Sequence, residues 1–282
     1  MKTKFIIPAL AFSAVLWTSC TEESDTLLED AEIPVLDIEV NAQAEALSDQ
    51  IDDIAAAVVV DEFSSPKGSA LQRVALPECV AITEEIVGNK VNKTLDFGEG
   101  CPMANGVVYS GQMFVSYIWD AEMRRADIVV ETENLGVNDL LIAGRKAIVR
   151  TWPAAGSEGF PMSEVDTELT VSHPSGLNAV VTGVTTREWI QGFGSESWGD
   201  NVVLIGGNRR VTSFLNDTEL GTYMMEITDK LRREWACRFI VSGELAISRG
   251  EFSATMNFGE GQCDNKAMLT TSGGRSKEIE LR

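Results

Sequence analysis

Residues 237–263 read Cys-Arg-Phe-Ile-Val-Ser-Gly-Glu-Leu-Ala-Ile-Ser-Arg-Gly-Glu-Phe-Ser-Ala-Thr-Met-Asn-Phe-Gly-Glu-Gly-Gln-Cys. Phe239, Val241, Gly243, Leu245 and Ile247 alternate with Arg238, Ile240, Ser242, Glu244 and Ala246. Phe252, Ala254, Met256 and Phe258 alternate with Glu251, Ser253, Thr255 and Asn257. A period of two sends successive side chains to opposite faces, so each run predicts a half-buried antiparallel strand. Arg249-Gly250 between them predicts the turn of a hairpin.

The same pattern occurs earlier. Cys79-Val80-Ala81-Ile82 leads through Gly88-Asn89 to Thr94-Leu95-Asp96-Phe97-Gly98-Glu99-Gly100-Cys101. Each copy is Cys, strand, turn, strand, Phe-Gly-Glu-Gly and Cys. A hairpin returns its second strand beside the start of its first, which places the two cysteines of a copy to meet. Four cysteines allow three pairings. The duplication favours Cys79–Cys101 and Cys237–Cys263, worth about 3 kcal/mol each by loop-closure entropy. Zinc is the rival, but close Cys-x-x-Cys pairs and histidine partners are missing. The glycines of Phe-Gly-Glu-Gly suit a tight turn or bulge.

Further strands follow from the same alternation. Met113, Val115, Tyr117 and Trp119 form one face, and Tyr223, Met225 and Ile227 another. Trp119, Trp189 and Trp235 sit in strand-like contexts and read as core. Asn105-Gly106, Pro174-Ser175-Gly176, Gly206-Gly207-Asn208 and Gly273-Gly274 punctuate the runs. The expectation is an all-β, mainly antiparallel domain over 70–282, with about 13–15 short strands in a sandwich or an open barrel. No long helical pattern separates the strands, which excludes parallel βαβ units.

One helix is expected before it, over 41–62. Leu47, Ile51, Ile54 and Val58 recur at helical spacing and make one apolar stripe, with Asn41 as the cap. That stripe either docks on the β domain or is offered to a partner. Residues 20–40 read as an acidic tether. From Cys20 to Glu62 there are fourteen Asp or Glu and no Lys or Arg. Such a run repels itself and extends.

The N-terminus reads as a signal peptide over 1–19. Lys2 and Lys4 precede an apolar run, Phe5 to Leu16, that is too short to span a bilayer. Trp17-Thr18-Ser19-Cys20 resembles the lipobox of bacterial lipoproteins, in the relaxed form of Bacteroidota, although Trp17 is bulkier than the usual Leu. The resemblance implies cleavage before Cys20 and lipid attachment there. Multiple acyl chains hold stably where one does not. Thr21-Glu22-Glu23-Ser24-Asp25 resembles the acidic export signal of Bacteroidota surface lipoproteins, and Asp25-Thr26-Leu27 their O-glycosylation motif. These imply attachment to the outer membrane at the cell surface, with the periplasmic face as the alternative.

The two Phe-Gly-Glu-Gly-(x)-Cys signatures resemble a family of uncharacterised Bacteroidota lipoproteins. So do Cys263-Asp264-Asn265-Lys266-Ala267, the ending Ile279-Glu280-Leu281-Arg282, Arg187-Glu188-Trp189 and the Trp198 region. The likeness covers most of 75–282. The first copy departs after its cysteine, at Pro102-Met103-Ala104. The resemblance implies compartment and architecture, and no activity.

Composition narrows function. The 282 residues carry a net charge of −20, from 43 acidic and 23 basic residues. Nucleic acid is therefore not expected as a partner. A single His173 excludes a histidine metal cluster, and Ser172-His173-Pro174-Ser175-Gly176 reads as a turn. Gly192-Phe193-Gly194-Ser195-Glu196-Ser197 does not complete a nucleophile elbow. Glu99 and Glu260, with Asp96, could imitate a glycosidase carboxylate pair, but their place beside the cysteines favours structural roles. No cofactor and no metal site is expected. Two loops carry aromatics, Trp152 in one, and Phe193 and Trp198 in the other. Exposed rings there would stack a sugar, and buried rings would plug the β core. The leading expectation is a non-enzymatic binding module for a glycan or envelope component, through Trp152, Phe193 and Trp198. The alternative is an assembly lipoprotein that docks a protein through its helix or a sheet edge, and a glycan-active hydrolase is the remote third.

Overall fold

A computed structural model describes residues 35–59 and 76–281, except 104, 156, 194 and 196. Side chains of 35–43, Glu45 and Trp198 are not described. The signal peptide, Cys20 and the tether up to residue 34 lie outside the described residues.

Helix α1 spans Val35–Val58. It therefore extends six residues into the stretch expected as tether, and Asn41 lies within it rather than at its cap. The stripe Leu47, Ile51, Ile54 and Val58 is buried together with Ala44 and Ala55. The helix docks on its own domain, and those contacts use the face that could have been offered to a partner. Burying each larger aliphatic contributes about 1.5–3 kcal/mol, which stabilises a helix whose own stripe cannot stay in water.

Fifteen strands follow among the described residues: β1 (Ala81–Val87), β2 (Lys90–Asp96), β3 (Cys101–Pro102), β4 (Val108–Ser110), β5 (Gln112–Asp120), β6 (Arg125–Val137), β7 (Leu140–Thr151), β8 (Met162–Ser172), β9 (Leu177–Gln191), β10 (Val202–Leu215), β11 (Thr218–Glu234), β12 (Ile240–Arg249), β13 (Phe252–Glu260), β14 (Lys266–Thr271) and β15 (Ser276–Glu280). They form one antiparallel sheet that does not close, in the order β1-β2-β5 and then consecutively to β15. The short strands β3 and β4 attach beside β6. The architecture is thus the open single sheet, not a two-sheet sandwich.

The sheet curves around α1. Side chains from β2, β4, β7, β9, β10 and β11 all reach the helix, which a flat sheet could not arrange. Glycines permit the bend. Gly144 in β7 has φ +136, and a Cβ there would lie 2.2 Å from the Glu168 carbonyl oxygen. Gly183 in β9 has φ +144, and a Cβ would lie 2.5 Å from the Asn208 carbonyl oxygen. Only glycine allows adjacent strands this approach.

Both duplicated hairpins carry their disulfides. Cys79–Cys101 and Cys237–Cys263 are bonded, with Cα atoms 5.6 and 5.8 Å apart. The Gly98 amide donates to Asp96 Oδ1 at 2.8 Å, and the Gly259 amide donates to Asn257 Oδ1 at 2.9 Å. The two copies thus make the same side-chain-closed turn, with Phe97 and Phe258 buried beneath it.

Candidate functional site

The expected aromatic platform lies largely inside the protein. Trp152 is 8% exposed. Its ring centroid is 4.7 Å from that of Trp119, and the Arg150 guanidinium lies 5.9 Å from it. Phe193 is half-buried and meets Trp189 edge-on at 5.3 Å. Trp189 in turn meets Trp235 at 6.4 Å, donates from Nε1 to Asn201 Oδ1 at 3.3 Å, and carries Arg150 over its face at 4.9 Å. These rings follow the ends of β5, β7, β9 and β11, which point the same way in an antiparallel path, so they plug one end of the core. Trp152 is therefore corrected from a sugar-stacking residue to a core plug, whereas Phe193 keeps part of its ring exposed beside Trp189. Packed against Trp119 and beside Arg150, the buried Trp152 ring has no surface left for a sugar. Trp198 opens a short 3-10 turn, Trp198–Asp200, and its side chain lies outside the described residues.

The other chemical candidates resolve as turns. His173 is exposed. Its Nδ1 accepts from the Ser175 amide at 3.1 Å and lies 2.7 Å from Ser175 Oγ, which closes the β8–β9 turn. Ser195 Oγ donates to Asp200 Oδ1 at 2.7 Å within its own loop. Glu99 and Glu260 are exposed. Glu99 follows β2 and Glu260 ends β13, with eight strands between those two in the sheet order. Asp96 is held below the usual carboxylate range by hydrogen bonds from Gln112 and the Gly98 amide. A recess lined by Leu47, Gln50, Val107, Asn138, Arg238 and Phe239 measures about 20 Å³, room for one water.

The main concentration of buried charge was not anticipated. Asp49, Asp52 and Asp53 stand at i, i+3 and i+4 of α1, on one face. Lys146 of β7, Arg187 of β9, Arg209 of β10 and Arg233 of β11 converge on them, and all seven side chains are buried. Lys146 Nζ lies 2.7 Å from Asp52 Oδ1 and donates to the Ser48 carbonyl at 2.7 Å. Arg187 bridges all three aspartates, at 3.2 Å to Asp49, 3.6 Å to Asp52 and in a short contact to Asp53. Arg209 donates to Asp49 at 2.6 Å. Arg233 donates to Asp53 at 3.0 Å and to the carbonyls of Cys237 and Arg238.

Burial pushes these groups toward neutrality, and their neighbours decide which yield. Burial raises the Asp49 carboxyl, but Arg209 and Arg187 outweigh it and hold it below its ordinary value. Burial raises Asp53 beyond what Arg187 and Arg233 recover, with Asp49 and Asp52 adding repulsion. Burial lowers Lys146 against the pull of Asp52. The Tyr109 hydroxyl, raised by burial and by Asp53, donates to Gln50 Oε1 at 2.9 Å. At the helix C-terminus Lys93 donates to the Val58 carbonyl at 2.8 Å and pairs with Glu84 of β1 at 3.2 Å. Chemically this arrangement is a clamp. It sets four cations against three carboxylates and ties the helix to four strands.

The sheet also exposes one edge. All seven residues of β1 are exposed, including Ile82, Ile86 and Val87. Among the described residues no helix is long and apolar enough to cross a membrane. No family model, no curated protein and no solved structure matches the chain.

Proposed function

We propose that the protein is a lipid-anchored cell-envelope protein that holds a partner at the membrane, without catalysis. The observation that supports it is the clamp. The helix next to the tether is not a loose linker. It is built into the sheet through Asp49, Asp52 and Asp53, so a lipid at Cys20 hangs the whole β domain from its own core element. Fourteen residues lie between Cys20 and Val35, at most about 50 Å of chain. A short acidic leash on a rigid domain suits display and docking. The lipobox-like Trp17–Cys20 and the acidic run after it support an anchor in the outer membrane at the cell surface. With Trp152 buried in the core, the reading favours an envelope polypeptide over a glycan as the partner.

The test is metabolic labelling with an alkyne-tagged palmitate in the native host, followed by protease shaving of intact cells. Label in the wild type and none in Cys20→Ala supports the anchor, and digestion on intact cells supports the surface. Equal label in both proteins would sink the lipoprotein reading.

A further inference from the structure

The sheet has two edges, and they are built differently. β15 is five residues long, carries Lys277 among Glu278 and Glu280, and tucks Ile279 into the core. Short, charged strands are how sheets discourage further pairing. β1 has seven residues, no proline, no lysine and an unbroken register with β2. Among the described residues it pairs with β2 alone, which leaves the other side of its backbone as the edge of the described sheet.

Its side chains make the difference sharper. On β2 the inward row is Val91, Lys93 and Leu95, with Lys93 and Leu95 buried. Their register partners on β1 are Ile86, Glu84 and Ile82. The core-facing row therefore continues onto β1, about one strand spacing further out. There Ile82 is 43% and Ile86 63% exposed, and Val87 on the other face is 58% exposed. The apolar layer runs past the described sheet into solvent. The strand is also held in shape. The Cys79–Cys101 bond anchors it at one end and the Gly88-Asn89 turn at the other, so little order is lost on pairing.

We infer that the open edge of β1 is a docking site for an extended, basic strand of another polypeptide, added antiparallel with apolar residues beside Ile82 and Ile86 and a Lys or Arg beside Glu84. This rests on the binding-module reading and names its partner. The charge of the partner follows from the edge. Its two charged residues are Glu84, whose carboxylate takes Lys93 on one side at 3.2 Å and is otherwise exposed, and Glu85, on a chain of net charge −20. A second copy fits poorly. The two-fold pairing that sets Ile82 against Ile86 also sets Glu84 against Glu84, between two strongly acidic molecules. Main-chain hydrogen bonds would give affinity, and the alternating side chains specificity.

The probe is the heptapeptide Lys-Val-Asn-Lys-Thr-Leu-Asp, the sequence of β2, which already pairs with β1 on its other side in this register. Labelled with fluorescein, it is titrated against purified residues 21–282 with both disulfides formed, and read by anisotropy. Saturable binding is expected, weakened at least tenfold in the double variant Ile82→Lys/Ile86→Lys. A peptide with both lysines changed to glutamate should bind at least tenfold more weakly. Both substituted positions are exposed, and an unchanged melting temperature checks the fold. Amide hydrogen exchange of the peptide-free protein gives a second readout, in which alternate β1 amides exchange fast if the edge is open. Absence of saturable binding, binding indifferent to the double variant, or β1 amides protected without peptide would overturn the inference. So would a concentration-dependent dimer abolished by Ile82→Lys/Ile86→Lys, which would make the occupant a second copy. The titration needs no membrane. A failed palmitate labelling therefore sinks the anchor and leaves the edge standing, and a failed titration does the reverse.

Discussion

Arg209 donates to Asp49 Oδ1 at 2.6 Å across 160 positions of sequence, with both side chains buried. The same carboxylate oxygen takes Arg187 at 3.2 Å. One helical carboxylate thus joins two neighbouring strands, and Asp53 extends the join to β11. Buried ion pairs of this kind lose in desolvation much of what they gain in attraction. Their more certain effect is on register: a helix shifted by one residue would put Asp49, Asp52 and Asp53 against the aliphatic stripe's contacts and leave four cations uncompensated.

Removing one member therefore costs more than the pair is worth. Arg187→Met should destabilise the domain by about 3–5 kcal/mol, because it strands carboxylates in the core. Adding Asp53→Asn to that variant should restore a substantial part, since the most strained carboxylate is then gone. Urea unfolding of the two single variants and the double measures the coupling. Simple additivity would show that Arg187 and Asp53 do not act as a pair.

Acid should act on two neighbours in opposite senses. The folded pKa of Asp49 lies below its ordinary value of 3.8, so its contribution is present above that pH and is lost as pH falls through the depressed value. The folded pKa of Asp53 lies above 3.8, so its contribution is present below that pH and is lost as pH rises through the raised value. Asp49→Asn should flatten the loss of stability on acidification below 3.8. Asp53→Asn should remove the decline on raising pH above it. Melting temperatures of the three proteins across the acid range test this, and parallel profiles would contradict it.

Much of the fold was legible because it rests on local periodicity. The alternation from Phe239 to Ile247 and from Phe252 to Phe258, and the duplicated cysteines, needed only neighbours in sequence. The stripe Leu47, Ile51, Ile54 and Val58 also marked the buried face of α1. The clamp was missed because a charge within an alternating strand reads as facing outward, and three aspartates in an acidic stretch read as solvated. The trace was present in the phase. Lys146 and Arg150 share the alternation of Ile148 and Trp152, Arg187 that of Trp189, and Arg209 that of Val211. A basic residue in the apolar phase signals a buried acid elsewhere, but which acid is fixed only by contacts across 98 to 180 positions. Trp152 misled for the converse reason. Its loop is Gly- and Pro-rich, and the ring folds back over strand ends that the sequence does not bring together.

The bend at β9 gives a backbone prediction. Gly183→Ala must place a Cβ against the Asn208 carbonyl at a positive φ. The cost should exceed about 1 kcal/mol, although the residue is not fully buried and the added group is one methyl. Ala179→Gly, on the same strand, offers the comparison in which only a methyl is removed. A Gly183→Ala protein that melts with the wild type would mean the sheet flexes freely there.

The two disulfides should differ little in what they contribute, because their loops are alike, with separations of 22 and 26 residues. Each is worth about 3–4 kcal/mol by the chain-entropy argument. Cys237→Ser/Cys263→Ser should lower stability by that amount while α1 stays docked, since the clamp meets the hairpin through the main-chain carbonyls of Cys237 and Arg238, which the substitution keeps. Cys79→Ser/Cys101→Ser should cost a similar amount and also loosen β1. Its amides should exchange faster than those of β2, which keeps its pairing with β5.

Trp152 separates a packing role from a binding one. With its ring 4.7 Å from Trp119 and under Arg150, Trp152→Ala opens a cavity in the plug and should cost about 3–5 kcal/mol. Trp152→Phe keeps most of the ring and should recover a large share. A sugar-stacking residue would behave the other way, with little change in melting temperature and loss of ligand-induced stabilisation. Thermal unfolding of both variants, with and without a panel of bacterial and host polysaccharides, distinguishes the two. A Trp152→Ala protein as stable as the wild type that has lost a polysaccharide-induced shift would return this ring to a ligand site, and would require the loop to open away from Trp119.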